Sequence, residues 1–170
     1  MTDKNVSIMN IGSMGYLPQV FKKIENEKKL NIVYLGGSIT MGCNATKTEL
    51  RYVDRSAKWW QTNFPDAEIS YFNAGIGATT SQFGVERVQE HVLDKQPDLV
   101  FVEFSVNDSS SPLFMETYES LVRRLLKAES VKAVVLINNL FYNTGTNAQG
   151  IHSAIGLHYD LPIVSVRNYI

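Results

Sequence analysis

The residues of this chain that could do chemistry sit just after apolar runs. Ser38 follows Ile32, Val33, Tyr34, Leu35 and the pair Gly36 and Gly37. The small-residue stretch from Asn73 to Ser81, with Gly75, Gly77 and Ala78 inside it, follows a second apolar run at Ile69 to Phe72. Asn107 follows a third, Leu99 to Phe104. Acyl transfer uses a nucleophile, a base that takes its proton, and hydrogen-bond donors aimed at the oxyanion that forms. Ser38 is the candidate nucleophile. Its own backbone N–H, an N–H from the Gly75 to Ala78 loop and the Asn107 side-chain amide are the candidate donors. A base is the part the pattern lacks. Gly36-Gly37-Ser38 has a plainer reading as a strand-to-helix turn in which Ser38 is the N-cap, and that stretch alone does not choose between the two.

The elements that must position these residues follow from periodicity. Ile32 to Leu35 is a continuous apolar run, as expected of an interior parallel strand covered on both faces. Leu17, Val20, Phe21 and Ile24 recur at helical spacing ahead of it, with Pro18 tolerated in a first turn. A helix is expected over Tyr52 to Phe64, stopped by Pro65, with one of Trp59 and Trp60 in the core. Further helices are expected over Phe83 to Leu93, Met115 to Ala128 and His152 to Tyr159, and further strands over Lys132 to Ile137 and Pro162 to Val166. Residues 1–16 are expected to be a loosely packed arm. Strands thus alternate with helices, which predicts an α/β fold: a doubly wound, mostly parallel five-stranded sheet with helices on both faces. In such a sheet the loops after the first three strands open on one edge. Ser38, the 73–81 loop and Asn107 are therefore expected to converge.

Composition removes other classes. At 170 residues, 44% hydrophobic and 19% charged, the chain reads as one globular domain. The net charge is -1, and basic residues cluster no further than pairs such as Lys22-Lys23 and Arg123-Arg124, so neither a nucleic-acid partner nor a membrane surface is expected. Cys43 is the single cysteine, and no Cys/His set has zinc-ligand spacing, so no metal and no cofactor is expected. Five residues after Ser38, Cys43 could line the site, although a lone cysteine among small residues is more often buried and inert. Neither an apolar leader nor a bilayer-length run is present, which reads as cytoplasmic for the chain as written and leaves a secreted parent open. The stretch from Gly36 to Gly42 lacks the lysine of a P-loop and the spacing of Gly-x-Gly-x-x-Gly, which argues against a nucleotide site.

Three blocks together resemble the SGNH hydrolases, also called GDSL esterases and lipases. Gly36-Gly37-Ser38-Ile39-Thr40 is similar to the first block, with Gly37 where the family more often has Asp. Asn73 to Thr80 resembles the second block, whose glycine N–H lines the oxyanion hole; Ala78 falls on that glycine with Gly77 beside it. Were that position to need φ > 0, an alanine would be strained there. Val102 to Asp108 resembles the third block, with Asn107 in the oxyanion-binding position, Ser105 in place of the usual glycine, and Asp108 in a structural role. The likeness covers about residues 30–166 and implies a flavodoxin-like SGNH fold and a serine ester hydrolase. The forms of the first and third blocks are more similar to carbohydrate-active esterases that remove small acyl groups, such as acetyl, than to lipases.

The family's base lies in a late Asp-x-x-His block that does not occur in this sequence. The resemblance implies that the catalytic histidine lies beyond residue 170 and that the domain is incomplete at its C-terminus. An absent final helix would leave part of the sheet uncovered, from which aggregation or self-association is expected. Among the internal histidines, His152 follows the loop after the fourth strand and is the candidate substitute base, whereas His91 and His158 read as packing or solvated side chains. Expected partners are a small acyl ester or an acylated carbohydrate, with a homo-oligomer as a further expectation. The alternative from a different class is a non-catalytic α/β ligand-binding or interaction domain that keeps the cleft without turnover.

Overall fold

The computed structural model describes residues 4–170. A 3-10 turn at Lys4–Ser7 leads into β1 (Ile8–Asn10), α1 (Leu17–Glu27) and β2 (Lys29–Gly36). A single helical turn, α2 (Ser38–Met41), follows, and then α3 (Tyr52–Asn63) and β3 (Glu68–Gly75). The second half runs α4 (Ser81–His91), β4 (Leu99–Glu103), α5 (Pro112–Lys127), β5 (Ala133–Asn138), α6 (Gln149–His158) and β6 (Ile163–Ser165).

The strands form one sheet in the order β1-β6-β5-β4-β2-β3. All neighbours are parallel except β1, which pairs antiparallel with β6. The sheet therefore has six strands where the sequence predicts five. The sixth is β1, three residues inside the stretch expected to be an arm, and a run that short carries no period to read. The chain leaves β2 toward β3 on one side and returns past β2 to β4 on the other. Strand order thus reverses at β2 and β4, and the crevice beyond their carboxyl ends is where such sheets place their ligand sites.

Alternation along the strands divides the core between the two faces of the sheet. Val33, Leu35, Val100, Val102, Val134 and Leu136 pack with Val88, Leu121, Leu125 and Ile155 of α4, α5 and α6. Leu30, Ile32, Tyr34, Leu99 and Val135 pack on the opposite face with Val20 and Ile24 of α1 and Val53 and Trp60 of α3. Trp60 is buried and Trp59 is exposed, so one tryptophan of the pair is core, as the helical spacing predicts. No helix among the described residues is long and apolar enough to cross a membrane.

Candidate active site

Tight turning at the end of β2 brings Ser38 to the crest of the sheet. Gly36 pairs with Glu103 of β4 on one side and with Gly75 of β3 on the other. The Gly37 N–H donates to the Glu103 carbonyl at 3.2 Å, which fixes the turn to β4. Gly37 is the N-cap of α2 and Ser38 its first helical residue, with no side-chain cap bond. The capping reading of Ser38 therefore does not hold, and its hydroxyl is not spent on the helix. Ser38 is half-buried and faces a groove.

Asn107 lies against this turn. A Cβ at Gly37 would stand 2.7 Å from Asn107 Oδ1 and 3.3 Å from the Thr79 carbonyl. With the amide placed as it is here, a residue with a Cβ at position 37 would require it to shift. Asn107 follows β4 through a turn in which its N–H and that of Asp108 both donate to the Phe104 carbonyl, each at 3.0 Å. Ser105 is buried and ties this turn to the loop after β5: its Oγ accepts the Asn139 N–H at 2.7 Å, and its carbonyl accepts the Ala148 N–H at 2.7 Å. Glu103 beneath it is fully buried, with Oε1 3.1 Å from Ser105 Oγ and Oε2 without a partner. Burial pushes its carboxyl up to about 7, against the opposing hydrogen bond from Ser105.

The second block divides its N–H groups between structure and the open edge. Gly75 N–H donates to Asn73 Oδ1 at 2.9 Å, and Asn73 Nδ2 donates to the Thr40 carbonyl at 2.8 Å, so Asn73 clamps α2 onto β3. A Cβ at Gly75 would fall on the Thr40 and Met41 backbone, which explains the glycine. Ile76 N–H donates to the Gly36 carbonyl at 3.1 Å. Among the described residues, no protein hydrogen bond engages the N–H of Gly77 or Ala78, and the same holds for Thr79 and Thr80. Ala78 has φ +56°, the left-handed conformation that strains a residue with a Cβ.

The histidines take up positions away from Ser38. His152 is fully buried on α6, where its Nε2 donates to Asp108 Oδ2 at 3.0 Å and its ring stacks on Tyr118 with centroids 3.6 Å apart. Burial lowers its pKa, with Asp108 pulling the other way. Asp108 Oδ1 also accepts the Ser81 N–H at 2.9 Å, so this carboxylate joins the third block to α4 and α6. His91 Nδ1 lies 3.2 Å from Arg87 Nη1, and His158 is exposed against Tyr159. Among the described residues no histidine hydrogen-bonds Ser38, and no cluster of His, Cys, Asp and Glu could hold a metal ion.

A groove of about 910 Å³ opens from Ser38 across the sheet, floored by Phe101, Val135, Ile137 and Val164. Cys43 lines it and is exposed, contrary to the expectation of a buried thiol. The turn beyond α2 carries Cys43 away from the sheet, with Gly42 and Asn44 both at positive φ.

Two contributors escape sequence reading. Asn73 is one, because its clamp depends on where α2 lies in space. Arg87 is the other: 6% exposed, it donates to the carbonyls of Ala74 at 2.7 Å and Gly36 at 3.1 Å. Its signal is a charge at helical spacing on the stripe of buried Ser81, Gly84 and Val88.

The sequence model of the GDSL-like lipase/acylhydrolase family matches residues 34–158. No curated protein matches the chain. Among solved structures, a two-domain esterase (CEX) active on acetylated mannans is 48% identical, with a TM-score of 0.93 over 96% of this chain and 44% of that one. The chain thus spans less than half of that esterase. AlinE4, an SGNH-hydrolase family esterase, shares the fold at 22% identity and a TM-score of 0.64, over 80% of this chain and 75% of its own. A catalytic mutant of Axe2, an acetylxylan esterase from Geobacillus stearothermophilus, does so at 19% identity and a TM-score of 0.63, over 79% and 74%.

Proposed function

The chain belongs to the GDSL-like lipase/acylhydrolase family, and from that premise we propose that it is the core of a serine ester hydrolase removing small acyl groups, acetyl above all, from carbohydrate. The observation that carries the proposal is the approach of Asn107 to the Gly37-Ser38 turn at the point where strand order reverses. In this reading Ser38 Oγ attacks the acyl carbonyl carbon while a base takes its proton. The oxyanion is held by the N–H of Ser38, an N–H of the Gly77-Ala78 segment and the Asn107 amide. The carbon–oxygen bond to the sugar then breaks, the sugar hydroxyl leaves with the proton, and water releases the acid from the Ser38 acyl-enzyme. The base is a histidine outside residues 1–170, a reading supported by the burial of His152 and its engagement with Asp108. Acetylated manno-oligosaccharide is the favoured substrate, since the 48% identical relative acts on acetylated mannans.

The second reading is a ligand-binding domain without turnover, favoured by the lack of any histidine bonded to Ser38 among the described residues. Acetate release from acetylated manno-oligosaccharides, measured beside the Ser38→Ala variant with and without added imidazole as external base, separates the two. Release that needs Ser38 is expected. Binding of the oligosaccharide without release under either condition would favour the second reading.

A further inference from the structure

Arg87 is a buried charge that the proposed reaction leaves unused, and the one buried cation among the described residues. It lies in the middle of α4 at 6% exposure, between Gly84 and Val88 on the face turned to the core. A buried guanidinium ordinarily has a carboxylate partner. Among the described residues no carboxylate pairs with it. Its Nη1 instead donates to the Ala74 carbonyl at 2.7 Å and its Nη2 to the Gly36 carbonyl at 3.1 Å. The Phe83 ring lies 5.7 Å from its Cζ, and its Nε has no partner. Desolvation with no compensating anion lowers its pKa to about 10, so the cation persists at neutral pH.

The two carbonyls are what give this arrangement a consequence. Gly36 ends β2 two residues before Ser38, and Ala74 lies in β3 just before the loop that carries Gly77 and Ala78. The strands pair with Leu35 opposite Ala74 and Gly36 opposite Gly75. One planar fork therefore bridges two adjoining strand ends, and each end leads into a segment with a proposed oxyanion donor. The Gly36 carbonyl also accepts the Ile76 N–H at 3.1 Å, so the same oxygen links the fork to the second loop. A lysine, a point charge on a flexible stem, lacks the rigid planar fork that fixes the two acceptors relative to each other.

Building on the proposed ester hydrolysis, we propose that Arg87 is a positioning residue for the oxyanion hole: it holds the Ser38 N–H and the Gly77-Ala78 N–H groups at a fixed separation through the carbonyls of Gly36 and Ala74. It touches neither substrate nor reacting atoms. Misplacing a catalytic group by about 1 Å can cost about a hundredfold in rate.

The test uses the full chain with Arg87→Met and Arg87→Lys, read in two ways. The first is the backbone amide resonances of Ser38, Gly77 and Ala78. In Arg87→Met they are expected to move while those of β5 stay in place; Arg87→Lys, which keeps the charge without the planar fork, is expected to lie between. The second is hydrolysis of an activated acetyl ester with imidazole added, after subtraction of the Ser38→Ala rate. In Arg87→Met kcat is expected to fall by about a hundredfold with KM within about twofold. Unmoved amides at Ser38, Gly77 and Ala78 in either variant would overturn the proposal, whatever happens to the melting temperature. Should Arg87→Met not fold, Arg87→Lys alone decides by the same amides. Should the wild-type chain show no Ser38-dependent hydrolysis, it is the ester-hydrolase reading that fails, and the amide shifts still decide the role of Arg87.

Discussion

On one face of the sheet Val100, Val102, Val134 and Leu136 are sealed beneath α4, α5 and α6, whereas on the other Phe101, Ile137 and Val164 stay half-buried where α1 and α3 stop short. The sealed face carries two buried polar links, His152 with Asp108 and Arg87 with the strand-end carbonyls. The less covered face carries the groove that begins at Ser38. A parallel sheet is normally covered on both sides. The difference teaches that stability and access have been assigned to opposite faces of one sheet, and that the Ser38 turn lies at the edge they share.

Substitutions that separate the faces should differ most in stability. Leu121→Ala, on the sealed face and fully buried, is expected to lower unfolding free energy by about 2–5 kcal/mol, the cost of a core cavity. Chemical denaturation checks this, and a loss below about 1 kcal/mol would place the main core elsewhere.

The next effect depends on pH. Glu103 has the strand parity of Phe101, on the less covered face, yet is itself buried, and its pKa rises from 4.5 to about 7. Its neighbours that can titrate are Tyr52 and Tyr118, both coupled to it and both pushed upward by their own burial. The folded state thus holds a proton that the unfolded state gives up. This contribution is fully present below about pH 4.5 and is lost as pH rises through about 7. Glu103→Gln should abolish the decline, leaving the variant more stable than wild type by about 3 kcal/mol above pH 7. Parallel pH-stability curves for the two proteins would show that Glu103 does not titrate in this window.

Smaller effects are expected at the edges. Ala78→Gly relieves a left-handed φ of +56° and should raise stability by about 1 kcal/mol. A rise in melting temperature with the Ser38-dependent rate retained is the expected result. Val164→Ala, half-buried on the groove floor, should cost under about 1 kcal/mol, well below Leu121→Ala. Equal losses at Leu121 and Val164 would erase the distinction between the faces.

How far the sequence foretold this depends on the range of the interaction. Ser38 and Asn107 were legible because each ends an apolar run and a parallel sheet brings such ends to one edge. That one of Trp59 and Trp60 is core was legible from helical spacing; that it is Trp60 was not. β1 was not, since three residues carry no period and the strand exists only through its pairing with β6. The commitment of the Gly75 N–H to Asn73 is equally hidden, because it depends on α2 lying over the end of β3. His152 follows the loop after β5, on the edge where Ser38 lies, but the apolar side of α6 and Tyr118 turn its ring into the sealed face. Arg87 was missed: its place on a buried stripe is a signal after the fact, and its partners are carbonyls that no sequence pattern marks.

The most direct measurement is the covalent one: acetyl transfer from an activated acetyl ester to the protein, with imidazole as external base, followed by mass spectrometry of the peptide that contains Ser38. An acetyl group on Ser38, absent in Ser38→Ala and formed about 10²–10³ times more slowly in Asn107→Ala, is the predicted result. Acetyl found only on other residues, or an Asn107→Ala variant that acylates as fast as wild type, would contradict it.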